Sequence, residues 1–218
     1  MIETLKRSIK QNNTLLKFSS WLISPLDNPK PRLWVKLFFN PLVHKKGKGS
    51  IIRWRRSRID VFPWKRFEIG KKCTIEDFTT INNGAGDVIL GDKVRIGIGS
   101  VVIGPVTIKD GCGLGQHVFI SGFNHCYQDG TKNSSIQPLD KKEVIIDEDT
   151  HIGANAVVVA GVHIGKRCQI GAGSVVTKDI PDYSIAVGNP ARVIKRYDLE
   201  QKQWIKILKW KQRKIKLL

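Results

Sequence analysis

Large aliphatic residues recur every six positions through the middle of this chain. Ile69, Ile75 and Ile81 open the series. Leu90, Ile96, Val102, Ile108, Leu114 and Ile120 continue it, and Ile146, Ile152, Val158, Ile164, Ile170 and Val176 complete it. All 15 positions are Ile, Leu or Val, although these types make up only 60 of the 218 residues. Four residues after each sits a small residue, as at Cys73, Thr79, Ser100, Cys112, Thr150, Ala156, Cys168 and Ser174; Asn124 and Ile180 depart from the rule. A period of six fits neither the 3.6-residue helix nor simple strand alternation. It predicts a solenoid in which each hexad is a short strand and a bend. The large residue points inward onto its neighbours in adjacent coils, and the small residue fills the corner. Three of the four cysteines occupy the small position and read as core residues.

Three hexads per coil give three faces. Positions 69, 75 and 81 begin faces a, b and c; position 90 restarts at a, and Ile120 falls on c. The next hexad is due at 126, yet the beat returns only at 146. A loop at about 123–143 is therefore extruded, beginning in SGFNHCYQDG (121–130), and a loop on a rigid scaffold is a favoured place for function. His125 stands at the corner where it leaves. Asn124, Tyr127 and Asp129 lie beside it, either contacting a substrate or stitching the loop. His163, five residues after Val158, counts to face c one coil beyond and is placed as a neighbour of His125, about 4.8 Å along the stack.

The repeat, together with IGAGSVVTKDIP (170–181) and VGNPARVIK (187–195), resembles hexapeptide-repeat acyltransferases over about residues 67–196. Within that family it is similar to the galactoside and maltose O-acetyltransferases and to surface-polysaccharide acetyltransferases. The resemblance implies an all-β, left-handed parallel β-helix, a homotrimer with sites between subunits, and acetyl-CoA as acyl donor with no metal. It implies that His125 is the general base, since the catalytic His of that branch occupies the corner before the extruded loop. A neutral imidazole suits that role. Ala154, Ala172 and Thr177 match positions that touch CoA largely through backbone groups. Lys178, Arg192 and Lys195 match basic positions suited to its phosphates. INNG (81–84) is similar to an acceptor-binding segment, but Asn82 lies two coils below Ile120 where the sugar acetyltransferases place the Asn one coil below. The resembling enzymes commonly carry Trp just before the Ile-Gly of the coil after the loop; here that residue is His151. Cys126 beside His125 has no necessary part, because direct transfer needs no acyl-enzyme.

Charge separates the chain into three parts. Residues 1–67 carry 16 Lys/Arg against 3 Asp/Glu, residues 192–218 carry 10 against 2, and the middle is slightly acidic, although the whole chain has a net charge of +18. The expected organisation is a basic N-terminal helix and cap (1–67), the β-helix (68–196) and a basic amphipathic C-terminal helix (197–218). Trp204, Ile207, Leu208, Ile215 and Leu218 would share one stripe of that helix. Basic ends with exposed aromatics suit an anionic membrane surface as well as capping of the solenoid. No apolar run spans a membrane and no secretory signal is visible, so the expected place is the cytoplasm, at or near the inner face of the membrane.

These features point to an O-acetyltransferase acting on a sugar of a cell-surface polysaccharide or lipid-linked glycan. An N-acetyltransferase of an amino sugar would use the same apparatus. A γ-type carbonic anhydrase needs three convergent His for zinc, and His117 and His125 sit at different points of their hexads. A basic nucleic-acid-binding protein is disfavoured because the charge flanks an acidic core that holds the acyl-transfer pattern. No nucleic acid is expected as partner.

Overall fold

The computed structural model describes residues 12–25, 30–53 and 55–207. Short parallel strands wind into three sheets that form the sides of a triangular prism, an all-β parallel solenoid consistent with the left-handed β-helix expected. Faces a and c have six strands each; face b has nine, because a C-terminal hairpin extends it. Aliphatic residues stack at equal register. On face a, Ile69, Leu90, Ile108, Ile146 and Ile164 pair in succession. On face b the column is Ile52, Ile75, Ile96, Leu114, Ile152 and Ile170. On face c it is Ile59, Ile81, Val102, Ile120, Val158 and Val176. These side chains are buried, and full burial of each contributes about 1.5–3 kcal/mol.

The small corner residues do two jobs. Cys73, Cys112 and Cys168 are buried, and burial pushes the Cys112 thiol up to about 11, which suits packing rather than thiolate chemistry. Buried hydroxyls bridge coils. Thr150 donates to the Gly165 carbonyl at 2.7 Å and accepts from the Cys168 amide at 2.9 Å. Ser100 donates to the Gly115 carbonyl at 3.1 Å and accepts from the Val118 amide at 3.1 Å. The polar groups are thus satisfied inside the core.

The three corners differ. The a–b and b–c corners turn through a residue of positive φ in successive coils, as at Lys93, Gly111, Asp149 and Arg167, and at Gly99, His117, Asn155 and Gly173. The c–a corner has no such uniform turn. Beyond the first coil every insertion leaves there, including the residues between Asn82 and Val88 and the extruded loop.

Two boundaries differ from expectation. The solenoid begins at Lys45 rather than at 68: Lys45–Lys46, Ile51–Ile52 and Arg58–Asp60 already form a first coil, parallel to the second. Before it, Asn13–Ile23 is a helix whose cap, Asn12, accepts from the Thr14 and Leu15 amides. The helical stretch Val35–Val43 lies over the solenoid's end, with Val35 buried. Residues 1–11, the first part of the expected N-terminal helix and cap, lie outside the described residues.

The second correction concerns the C-terminal helix. Residues 197–206 instead complete an antiparallel hairpin, Ala191–Asp198 with Gln203–Lys206. Tyr197 and Trp204 meet edge to face at 5.3 Å. The hairpin gives backbone partners to a sheet edge that would otherwise be open, and that pairing outweighs helical amphipathicity. Residues 208–218, which hold the rest of the expected stripe, lie outside the described residues.

Candidate active site

Ser121 and Gly122 are the last coil residues before the loop. The chain then leaves as a two-stranded antiparallel hairpin, Phe123–His125 with Leu139–Lys141. It rejoins at once: the Lys142 amide donates to the Gly122 carbonyl at 2.9 Å, and the Gly161 amide to the Lys142 carbonyl at 3.0 Å. The coil therefore closes beneath the hairpin as if 123–141 were absent. His125 is exposed at the end of the outgoing strand, paired with Leu139 and edge to face with Phe123 at 5.6 Å. Asn124 is exposed opposite Asp140. The Cys126 amide bonds the Pro138 carbonyl at 3.2 Å, extending the hairpin by one step.

Asp129 stitches the loop. It accepts from the Thr131 hydroxyl at 2.6 Å and pairs with Lys132 at 2.7 Å. Lys132 foremost, then Thr131, holds its carboxyl below the usual range. Gln137 donates to the backbone carbonyls of Asp129 and Lys132, each at 3.0 Å. Tyr127 instead stands 78% exposed on the same loop, available to a ligand.

His163 does not neighbour His125. It pairs with Ile145 on face a, and its Nε2 lies 2.8 Å from an Asp147 oxygen. Lys109 reaches the same carboxylate at 2.7 Å. Burial works to raise the Asp147 pKa, but the bonds from Lys109 and His163 outweigh it and hold the carboxyl below its ordinary value. The count failed because the hairpin is excluded from the coil, so the position under His163 is filled after re-entry by Ile145. Asn82 sits two coils below Ser121, through Ile103. Its side-chain oxygen accepts from the Gly84 amide at 2.7 Å, closing a local turn.

The residues matched to CoA occupy two corners and the C-terminal hairpin. Ala154 and Ala172 stack at the b–c corner above Gly115. A Cβ at Gly115 would fall 2.7 Å from the Ala154 nitrogen, so a side chain there would displace the turn. Among the described residues, neither the Ala154 nor the Ala172 amide donates to a protein acceptor, which leaves two aligned donors for a ligand. Thr177 and Lys178 are exposed at the c–a corner, the corner of the hairpin, two coils beyond it. Arg192 and Lys195 lie on the C-terminal hairpin at the end of face b. Within one chain, His125 and the Ala154–Ala172 corner therefore stand on different edges of the prism.

One feature escaped the sequence reading. Outside face b, Arg95, Gly113, His151 and Gln169 form a column. The imidazole of His151 lies over the gap at Gly113, where a Cβ would be 2.9 Å from its ring. Arg95, Gln116, His151 and Gln169 line a groove of about 590 Å³ beside the b–c corner. A glycine at an outward position among long polar residues is the signal that could have revealed it. Among the described residues, no three His, Cys, Asp or Glu side chains gather as a metal site.

A triangular prism of stacked hexads is the architecture expected of hexapeptide-repeat proteins. Residues 143–178 match the hexapeptide repeat of succinyl-transferase. The chain is 38% identical over 174 residues to a probable acetyltransferase of Mycobacterium tuberculosis, covering 77% of this chain and 57% of that one. It is 34% identical over 128 residues to a galactoside O-acetyltransferase of Lactococcus lactis, covering 58% and 61%. A variant of perosamine N-acetyltransferase from Caulobacter crescentus, solved with CoA and GDP-perosamine, superposes with a TM-score of 0.51 at 27% identity, covering 67% of this chain and 57% of that one. The chain is a hexapeptide-repeat protein homologous to acetyltransferases. It spans about three fifths of the length of the two curated relatives.

Proposed function

We propose that the chain transfers an acetyl group from acetyl-CoA to a hydroxyl of a sugar in a cell-surface polysaccharide or lipid-linked glycan precursor. The observation that carries this reading is His125, an exposed imidazole held on a hairpin at the one irregular corner of a rigid solenoid. His125 accepts the proton of the acceptor hydroxyl as that oxygen attacks the thioester carbonyl, and returns it to the departing thiolate. Such a base contributes roughly 10²–10⁴ in rate.

The open amides of Ala154 and Ala172 suit an extended chain bearing amide carbonyls, as the pantetheine arm of CoA does. Lys178, Arg192 and Lys195 suit its phosphates. Tyr127 and Asn124 flank the base and are the residues we assign to the acceptor. Asp129 and Asn82 are spent on local bonds and have a supporting part. The separation of base and donor edge favours a site completed between copies, with one chain supplying His125 and its neighbour the b–c edge, most simply in a closed homotrimer. We place the enzyme in the cytoplasm, at the inner face of the membrane. Among the described residues no helix is long and apolar enough to cross a membrane.

A second reading, N-acetylation of an amino sugar, is favoured by the perosamine N-acetyltransferase likeness. CoA-thiol release from acetyl-CoA, measured across simple sugars, nucleotide sugars, amino sugars and lipid-linked glycans, separates the two. We expect turnover with a hydroxyl acceptor. Turnover confined to amino sugars would establish the second reading, and none with any acceptor would remove both.

A further inference from the structure

At the opposite end of the solenoid from the C-terminal hairpin lies a cavity of about 750 Å³ between the helical stretch Val35–Val43 and the first two coils. Its size is that of a small-molecule site rather than a packing defect. Leu37, Ile52, Ile59, Val61, Phe67 and Ile69 supply apolar walls. Leu33 and Leu37 stand at its rim, 71% and 58% exposed. Phe38 and Leu42, on the same helical stretch, are 71% and 82% exposed. So much apolar surface beside an apolar cavity is unusual for a surface facing only water.

Of the polar residues that line this cavity, Asn40 and His44 carry buried atoms that the protein leaves without a partner. Asn40 is 7% exposed. Its amide nitrogen donates to the Val61 carbonyl at 2.8 Å, while its side-chain oxygen has no partner. Both ring nitrogens of His44 are buried without a partner, and the ring packs edge to face on Phe67 at 5.8 Å. Burial lowers the His44 pKa, so the ring is neutral near pH 7 and offers one donor and one acceptor. Buried polar atoms are normally paired, and three unpaired ones lie on two residues that line this one cavity. Lys45 and Lys46 add positive charge to the lining. Lys45 pairs with Glu68 at 3.5 Å, and Lys46 has no carboxylate partner among the described residues.

We propose that this cavity is a binding site for a single-chain anionic amphiphile. The hydrocarbon chain lies against the aliphatic wall, and the phosphate or carboxylate head accepts from the one ring N–H of His44 and from Lys46. The assignment is independent of the acyl-transfer reading.

Isothermal titration calorimetry on the full chain, with probes below their micelle concentrations, tests it. Decyl phosphate and decanoate separate the two anionic heads. Decyltrimethylammonium and inorganic phosphate control for head charge and for the chain. We expect saturable one-to-one binding of at least one anionic probe and none of the two controls. Filling the cavity with Ile59→Trp should weaken binding at least about tenfold, because the chain loses its buried apolar contact. Lys46→Glu, at an exposed position that does not threaten folding, should weaken it several-fold. His125→Ala should bind as the native chain does. Absence of saturable binding, equal binding of decyltrimethylammonium or of phosphate alone, or unchanged affinity in folded Lys46→Glu would each overturn the proposal.

Discussion

Replacing His125 by alanine is expected to lower acceptor-dependent kcat/KM by about 10²–10⁴, the range supplied by a positioned general base. The fold should be untouched. The side chain is exposed, and the strand that carries it is held by backbone pairing with Leu139–Lys141 rather than by the imidazole. The loss should fall on kcat more than on KM, because a proton acceptor acts as the bond forms rather than as substrate binds. Steady-state kinetics by thiol release and a thermal melt of the same sample check both halves. Native turnover in the variant would move the base elsewhere. His163 is a poor substitute, since its Nε2 faces Asp147 at 2.8 Å on another strand column.

Replacing Ile120 by alanine is expected to cost about 2–5 kcal/mol of stability, the usual range for emptying an Ile-sized volume in a packed core. For a chain of this size that is a fall of roughly 4–20 °C in Tm. Ile120 is fully buried between Val102 below and Val158 above. In a solenoid each coil is stabilised mainly by its neighbours, so the gap weakens two interfaces at once. It also lies three residues before Phe123, where the hairpin departs. Phe119 on the same strand points outward and is 40% exposed. Phe119→Ala should cost about 1 kcal/mol or less. Thermal or denaturant unfolding of the two variants decides this; equal losses would contradict the inward and outward assignment of the strand.

The solenoid was readable because the large core residues between Ile69 and Val176 fall into three runs of one six-residue period, and each run gives its own faces by counting. The first coil was hidden because it breaks the period. Its face-a position is Lys46, not an aliphatic, and its inward residues Ile52 and Ile59 are seven apart. The C-terminal segment was misread for the opposite reason. Its apolar stripe has a real helical spacing, but the exposed edge of Ala191–Asp198 takes residues 203–206 as a strand. Counting also placed the departure of the loop at the right corner but could not see that the coil closes under it, and so it put His163 beside His125. The open amides of Ala154 and Ala172 leave no trace in residue type, and the face-b groove is marked only by the missing side chain of Gly113.

His125 from one chain and the Ala154–Ala172 edge from another are expected to complete one shared site. Ala172→Trp should block the donor edge, and His125→Ala should remove the base. Each variant alone is expected to be nearly inactive. The decisive measurement is turnover after the two are co-refolded in equal amounts. In a closed cyclic assembly about a quarter of the sites regain both native halves, so activity should return to about a quarter of the native level. Mixed oligomers that form, as seen by native mass spectrometry, yet stay as inactive as the separate variants would contradict a site built between copies.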